Sequence, residues 1–175
     1  MKTTTRVLFA LAVCLALGAC TKKVKPDNTD GNSSNNNSGD TGAVTNPMTG
    51  DGKYGPEDLE TDSCLRQRVV YFDFDQDSLN PQFQAAIACH AKYLQDRPSA
   101  RMTLEGHADE RGTREYNLAL GERRGNAVSA AVQGSGGSAS QINVTSLGEE
   151  RPTCLDSTED CWAKNRRVEI SYSSK

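Results

Sequence analysis

Asp109 and Arg124 are the residues of this chain whose types and positions point most directly to chemistry. They lie in the stretch Glu105-Gly-His-Ala-Asp-Glu-Arg-Gly-Thr-Arg-Glu-Tyr-Asn-Leu-Ala-Leu-Gly-Glu-Arg-Arg124. A helix is predicted from about Thr113 to Val132. At about 100° per residue, Tyr116, Leu120, Ala127, Val128 and Ala131 share an arc of roughly 120°, and Arg124 projects near its middle. Asn117 points the same way, whereas Glu115, Glu122 and Ser129 lie opposite and Arg123 sits at the edge. A guanidinium on an apolar face keeps its charge and costs several kcal/mol unless it is paired. Asp109, in the turn before the helix, is the best local partner. The pair is either an internal salt bridge or an anion and a cation facing a common point. The second arrangement suits a zwitterion, with Arg124 forking onto its carboxylate and Asp109 accepting from its ammonium.

The remaining candidates are weaker. His107 stands near Asp109 and Glu110, yet no second histidine lies at ligand spacing, so it reads as a strand-end histidine held by a carboxylate or a carbonyl. His90 falls on a predicted core stripe. Asp73, Asp75 and Asp77 alternate like a calcium loop but lack the glycine and distal glutamate such a loop needs. No metal or cofactor is expected. A hydrolase or amidase would have only His107, Asp109 and Glu110 to work with.

The elements that must hold these residues follow from periodicity. Arg68 to Phe74 alternates as a strand, with Val70, Phe72 and Phe74 on one face and Val69 and Tyr71 on the other, which predicts cover on both sides. Asn80-Pro81 opens a helix whose stripe is Phe83, Ile87, His90 and Leu94, and Arg97-Pro98 ends it. Met102, Leu104 and Gly106 mark a second strand. The Asp109 turn and the Thr113 helix follow, and Gly134-Ser-Gly-Gly stops that helix. Ile142 to Leu147 is a third strand, and Val168, Ile170 and Tyr172 mark a fourth. The order β-α-β-α-β-β predicts an α+β two-layer sandwich, a mixed four-stranded sheet with helices on one face.

The ends of the chain differ in kind. Residues 1–19 carry Lys2 and Arg6, an apolar run from Val7 to Leu17 too short for a bilayer, and then small residues, which is an export signal. Leu17-Gly18-Ala19-Cys20 resembles a lipobox, with Cys20 acylated as the mature first residue. Several acyl chains on one residue anchor stably, and Thr21 after Cys20 resembles outer-membrane sorting. Residues 20–62 read as a disordered polar tether, about 40 residues spanning roughly 35 Å as a coil. The folded domain is placed at 63–175. Loss of Lys2 and Arg6 takes the formal charge from −3 to −5, which disfavours nucleic-acid binding. Of six cysteines, Cys14 leaves with the leader, and the four beyond Cys20 allow three pairings. The short polar loop Leu155 to Asp160 favours Cys154 with Cys161, leaving Cys64 with Cys89. Zinc is the rival use, without any C-x-x-C spacing to support it.

Four blocks carry a resemblance. Tyr71-Phe-Asp-Phe-Asp75, Glu105-Gly-His-Ala-Asp-Glu-Arg-Gly-Thr, Tyr116-Asn-Leu-Ala-Leu-Gly-Glu-Arg-Arg124 and Asn165-Arg-Arg-Val168 resemble the outer-membrane protein A-like domains, in the branch of the peptidoglycan-associated lipoproteins. The likeness covers roughly residues 66 to 173. It implies a non-enzymatic lipoprotein of the outer membrane, facing the periplasm, that grips the diaminopimelate end of the peptidoglycan stem peptide. By the same resemblance Asp109 and Arg124 are the grip, and Phe74, Asp75, Asn117 and Leu120 line it. Asn165, Arg166 and Arg167 read as pairing with carboxylates that shape the site or the sheet end, with direct ligand contact as the alternative. A place in the Tol-Pal system during envelope constriction, with TolB as protein partner, is also implied; a general wall anchor outside that system is the alternative.

Overall fold

The computed structural model describes residues 52–173. The leader at 1–19, Cys20 and the expected tether as far as residue 51 lie outside the described residues. Four strands, β1 (Val69–Tyr71), β2 (Arg101–His107), β3 (Ile142–Gly148) and β4 (Arg167–Ser173), form one sheet in the order β1-β4-β2-β3. β4 runs antiparallel to both of its neighbours, while β2 and β3 are parallel. The long helices α2 (Gln84–Asp96) and α3 (Arg114–Gly134) pack on the face formed by Met102, Leu104, Val168 and Ile170. This is the mixed-sheet α+β sandwich that the strand and helix order predicts.

Local chemistry sets the helix starts. Asn80 accepts from the Gln82 N–H at 3.1 Å, and Pro81 begins a 3-10 turn that leads into α2. Thr113 caps α3 by accepting from the Tyr116 N–H at 3.2 Å. Ile87, His90, Ala91 and Leu94, spaced at helical intervals, bury one face of α2. α3 approaches the sheet through glycines: a Cβ on Gly106 of β2 would fall 1.9 Å from the Gly121 carbonyl oxygen, and one on Gly125 would fall 2.5 Å from Val144 Cγ1. That close approach offsets the helix propensity the glycines forgo.

Several expectations change. The buried side of α3 is turned toward Gly121 and Gly125, so Ser129 is buried and Tyr116 is 43% exposed. β1 stops at Tyr71, one of its faces is uncovered, and Phe74 leaves the core to sit 54% exposed in a loop. The packed domain also starts earlier than residue 63. Tyr54 and Leu59 are buried in the core, and Asp58–Thr61 forms the short helix α1, because two large apolar side chains suffice to pin a short polar segment. A seven-residue helix, α4 (Glu159–Asn165), follows the loop after β3. Cys64 is bonded to Cys89, and Cys154 to Cys161. Among the described residues no helix is long and apolar enough to cross a membrane.

Candidate functional site

Where β2 ends, the chain turns and Asp109 caps its own turn, Oδ1 accepting the Arg111 N–H at 3.1 Å. The Arg111 side chain folds back, donating from Nε to Oδ1 at 3.0 Å and from NH2 to Oδ2 at 2.6 Å. NH1 of Arg166, from the end of α4, reaches Oδ2 at 3.4 Å. Asp109 is 4% exposed. Burial acts to raise its pKa, but the bonds from Arg111 and Arg166 outweigh it and hold the carboxyl below the usual range.

Arg124 does not pair with Asp109, contrary to the expectation from the helix face. Fully buried, it is bound by three backbone carbonyls. Nε donates to Gln76 at 2.8 Å, NH1 to His107 at 2.8 Å and NH2 to Asp73 at 3.1 Å. Carbonyl dipoles from the loop after β1 and from the end of β2 thus do the work assigned to a carboxylate. A guanidinium has five N–H groups, so one on each terminal nitrogen is left. Burial and the nearby Arg166 lower its pKa to about 10, which keeps it charged at neutral pH.

A cavity of about 200 Å³ opens among these groups, and Asp109, Arg124, Phe74, Asp75, Asn117 and Leu120 all line it. Arg111, Gly112 and Tyr116 line it too, and none of these was placed in the site from sequence. The hydroxyl of Tyr116 donates to Asp75, whose backbone sits at φ 56°, and Asn117 donates to Glu149. The Arg111 guanidinium lies between two rings, 4.0 Å from Phe74 and 4.2 Å from Trp162. Trp162 belongs to α4, which also brings Glu159 to Arg166 at 2.8 Å and to Arg111 at 3.4 Å. Trp162 Nε1 and the Ser157 hydroxyl both donate to Glu110, and the Cys154–Cys161 bond closes the loop that carries this wall. The Asp-x-Arg spacing of Asp109 and Arg111 was an available signal for the turn. Nothing local marked α4. A larger recess of about 760 Å³, between residues 71–82 and α4, shares Arg166 with this web but contains neither Asp109 nor Arg124.

The other candidates have separate settings. His90 accepts at Nδ1 from the Tyr172 hydroxyl at 2.9 Å and donates from Nε2 to the Gln67 carbonyl at 3.1 Å, and burial lowers its pKa to about 4. His107 is 2% exposed and, instead of being held by a carboxylate or a carbonyl, has no hydrogen bond at either ring nitrogen; burial, then Arg167, lowers its pKa to about 4. Asp75 accepts from the Tyr116 hydroxyl and Asp77 from Arg123 Nε. Arg166 and Arg167 pair with carboxylates, whereas Asn165 bonds the backbone at Thr153 and Cys154.

The OmpA family profile matches residues 71–166. A "Peptidoglycan-associated lipoprotein" of Pseudomonas putida is 41% identical over 169 residues, covering 93% of this chain and 92% of the relative. A protein of the same name from Legionella pneumophila is 36% identical over 96% of this chain and 93% of its own length. The crystal structure of the peptidoglycan-associated lipoprotein from Burkholderia pseudomallei is 43% identical and superposes with a TM-score of 0.65, over 66% of this chain and 98% of that one. The C-terminal domain of Helicobacter pylori MotB, 22% identical with a TM-score of 0.55 over 61% of this chain and 83% of that one, shares the fold. The chain belongs to the OmpA family and, within it, groups with the peptidoglycan-associated lipoproteins.

Proposed function

We propose that the chain is a non-catalytic anchor between the outer membrane and peptidoglycan, and that its 200 Å³ cavity takes the free amino-acid end of diaminopimelate in the stem peptide. The observation that carries this reading is Arg124, a buried cation that lines the cavity with no carboxylate bonded to it and an N–H to spare on each terminal nitrogen. A ligand carboxylate can bridge those two groups. The ligand's ammonium goes to the acidic side, Asp109 and Asp75. Because Arg111 and Arg166 already supply four N–H groups to Asp109, the ammonium displaces Arg111, whose side chain is 29% exposed and can turn to solvent. Phe74, Asn117 and Leu120 form the walls. Acylation of Cys20 at the outer membrane, with the domain facing the periplasm, completes the anchor, and the names of the relatives support it. Within that reading the chain serves the Tol-Pal system with TolB as partner.

The test is sedimentation of the full chain with diaminopimelate-type sacculi, competed by a soluble stem peptide. Asp109→Asn should weaken binding by about tenfold or more, roughly 1.4 kcal/mol, while the far-UV circular dichroism stays unchanged. Wild-type sedimentation of that variant overturns the grip. Release of soluble muropeptides would indicate a hydrolase instead. Co-purification with TolB checks the Tol-Pal role, and its failure with wall binding intact leaves a general wall anchor.

A further inference from the structure

The sheet face without helices carries a second cluster. Glu105 and His107 are two residues apart on β2 and so share that face, and Glu169 of β4 is the direct cross-strand partner of Glu105. Like charges placed opposite each other across an antiparallel pair destabilise it. Beside them His107 is buried with both ring nitrogens unbonded, and a buried polar group without a partner is destabilising. Its Nε2 stands 4.0 Å from Glu169 Oε1, and one ligand atom from each of the three residues lies within 4.8 Å of the others.

Two carboxylates, one of them already paired with Arg167, and an orphaned imidazole converge on one point. We infer that Glu105, His107 and Glu169 form a binding site for a divalent transition metal, best matched by Zn²⁺. One imidazole nitrogen and one oxygen from each carboxylate make three protein ligands, and solvent supplies the rest. The two carboxylates balance a dication, and mixed nitrogen and oxygen ligation selects zinc over calcium or magnesium, which take oxygen. Metal–ligand distances of about 2.0–2.2 Å require the cluster to tighten, and both glutamates are only half-buried and able to move. Arg167 donates from Nε to Oε1 of Glu169 at 2.6 Å, and its NH2 stands 2.6 Å from the same oxygen while donating to the Arg151 carbonyl, so the Glu169 carboxylate turns to offer Oε2 to the metal. That arginine also weakens the site by its charge, so binding is moderate rather than structural-zinc tight.

The metal-free full chain, with free thiols alkylated, is titrated with Zn²⁺ by calorimetry and with Co²⁺ by visible absorption, and the His107 ring is followed by ¹⁵N NMR. One equivalent should bind, with Co²⁺ bands of a four- or five-coordinate site and a shift confined to the His107 ring rather than His90. Glu169→Gln and His107→Gln should each weaken binding about tenfold or more. Circular dichroism shows which variants fold, and if His107→Gln does not, the half-exposed Glu169→Gln decides. Equal Zn²⁺ affinity in wild type and Glu169→Gln, or no binding at millimolar Zn²⁺, overturns the site. None of these readouts depends on wall binding.

Discussion

The helix-covered face of the sheet and the cavity at the end of β2 bury ionisable groups by opposite means. Under the helices His90 surrenders its charge: burial lowers its pKa to about 4, and the neutral ring is satisfied by Tyr172 and Gln67 among apolar neighbours. At the cavity charge is kept, because a guanidinium cannot release its proton at neutral pH. Arg124 is solvated by three carbonyls, and Asp109 by Arg111 and Arg166. The first arrangement makes a scaffold and the second leaves a polarised hole. A core can afford neutrality because nothing needs to bind there, whereas a site for a charged ligand must hold its own charges ready before the ligand arrives.

The largest break in this contrast comes from Arg124→Met. It strands the carbonyls of Asp73, Gln76 and His107 and removes the cation, so it should cost about 1–3 kcal/mol for each carbonyl left unsatisfied in urea unfolding and abolish sedimentation with sacculi. Unchanged stability would mean that those carbonyls do not need the guanidinium.

Acid should separate the two regions next. His90 has a folded pKa of about 4 against 6.5 when unfolded, so between those values the unfolded chain binds more protons. Stability is fully present above pH 6.5, falls on the order of 3 kcal/mol as pH drops toward 4, and flattens below. His107 shifts in the same direction and adds to the loss. The Asp109 pKa is depressed instead, so its contribution is present above about pH 3.8 and is lost only as pH falls below that value. Urea titrations at pH 7 and 4.5, with wild type against Asp109→Asn, check this: the variant's stability difference should stay constant across that window.

The two disulfides sharpen the comparison. Cys64–Cys89 closes a 25-residue separation beside the core and Cys154–Cys161 a 7-residue one beside the cavity. Loop-closure entropy gives about 3.5 and about 2.5 kcal/mol for them. Replacing the first pair with serine should lower the melting temperature and spare wall binding. Replacing the second should lower it less yet weaken binding several-fold, because α4 carries Trp162 and Glu159 onto Arg111. The smallest effect is expected for Tyr116→Phe, which loses only the exposed hydroxyl bond to Asp75. It should cost less than about 1 kcal/mol and a few-fold in affinity by titration with the soluble stem peptide.

Much of the fold was legible because local rules and tertiary packing agree for the long elements. Apolar spacing marks α2 and β2, and Asn80-Pro81 and Thr113 mark helix starts. The short elements were not legible. α1 and α4 have too few residues for a periodic signal, and both are held by what they touch: Leu59 by the core, and α4 by the Cys154–Cys161 bond and the Glu110 bonds to Ser157 and Trp162. The side that α3 buries was hidden as well, since glycines, which weaken an isolated helix, are its points of closest approach to the sheet.

The presence of an arginine on an apolar helix face, and of an acid in the turn before it, needed only the order of residues along the chain, because helical periodicity is a local property. Which groups answer that arginine was decided by folding. The carbonyls of residues 73, 76 and 107 are remote from Arg124 along the chain, and every residue offers the same carbonyl whatever its side chain, so no residue type could announce them. The same holds for Glu169 facing Glu105 and His107: their meeting is a matter of strand register across β2 and β4, settled only when the sheet closes.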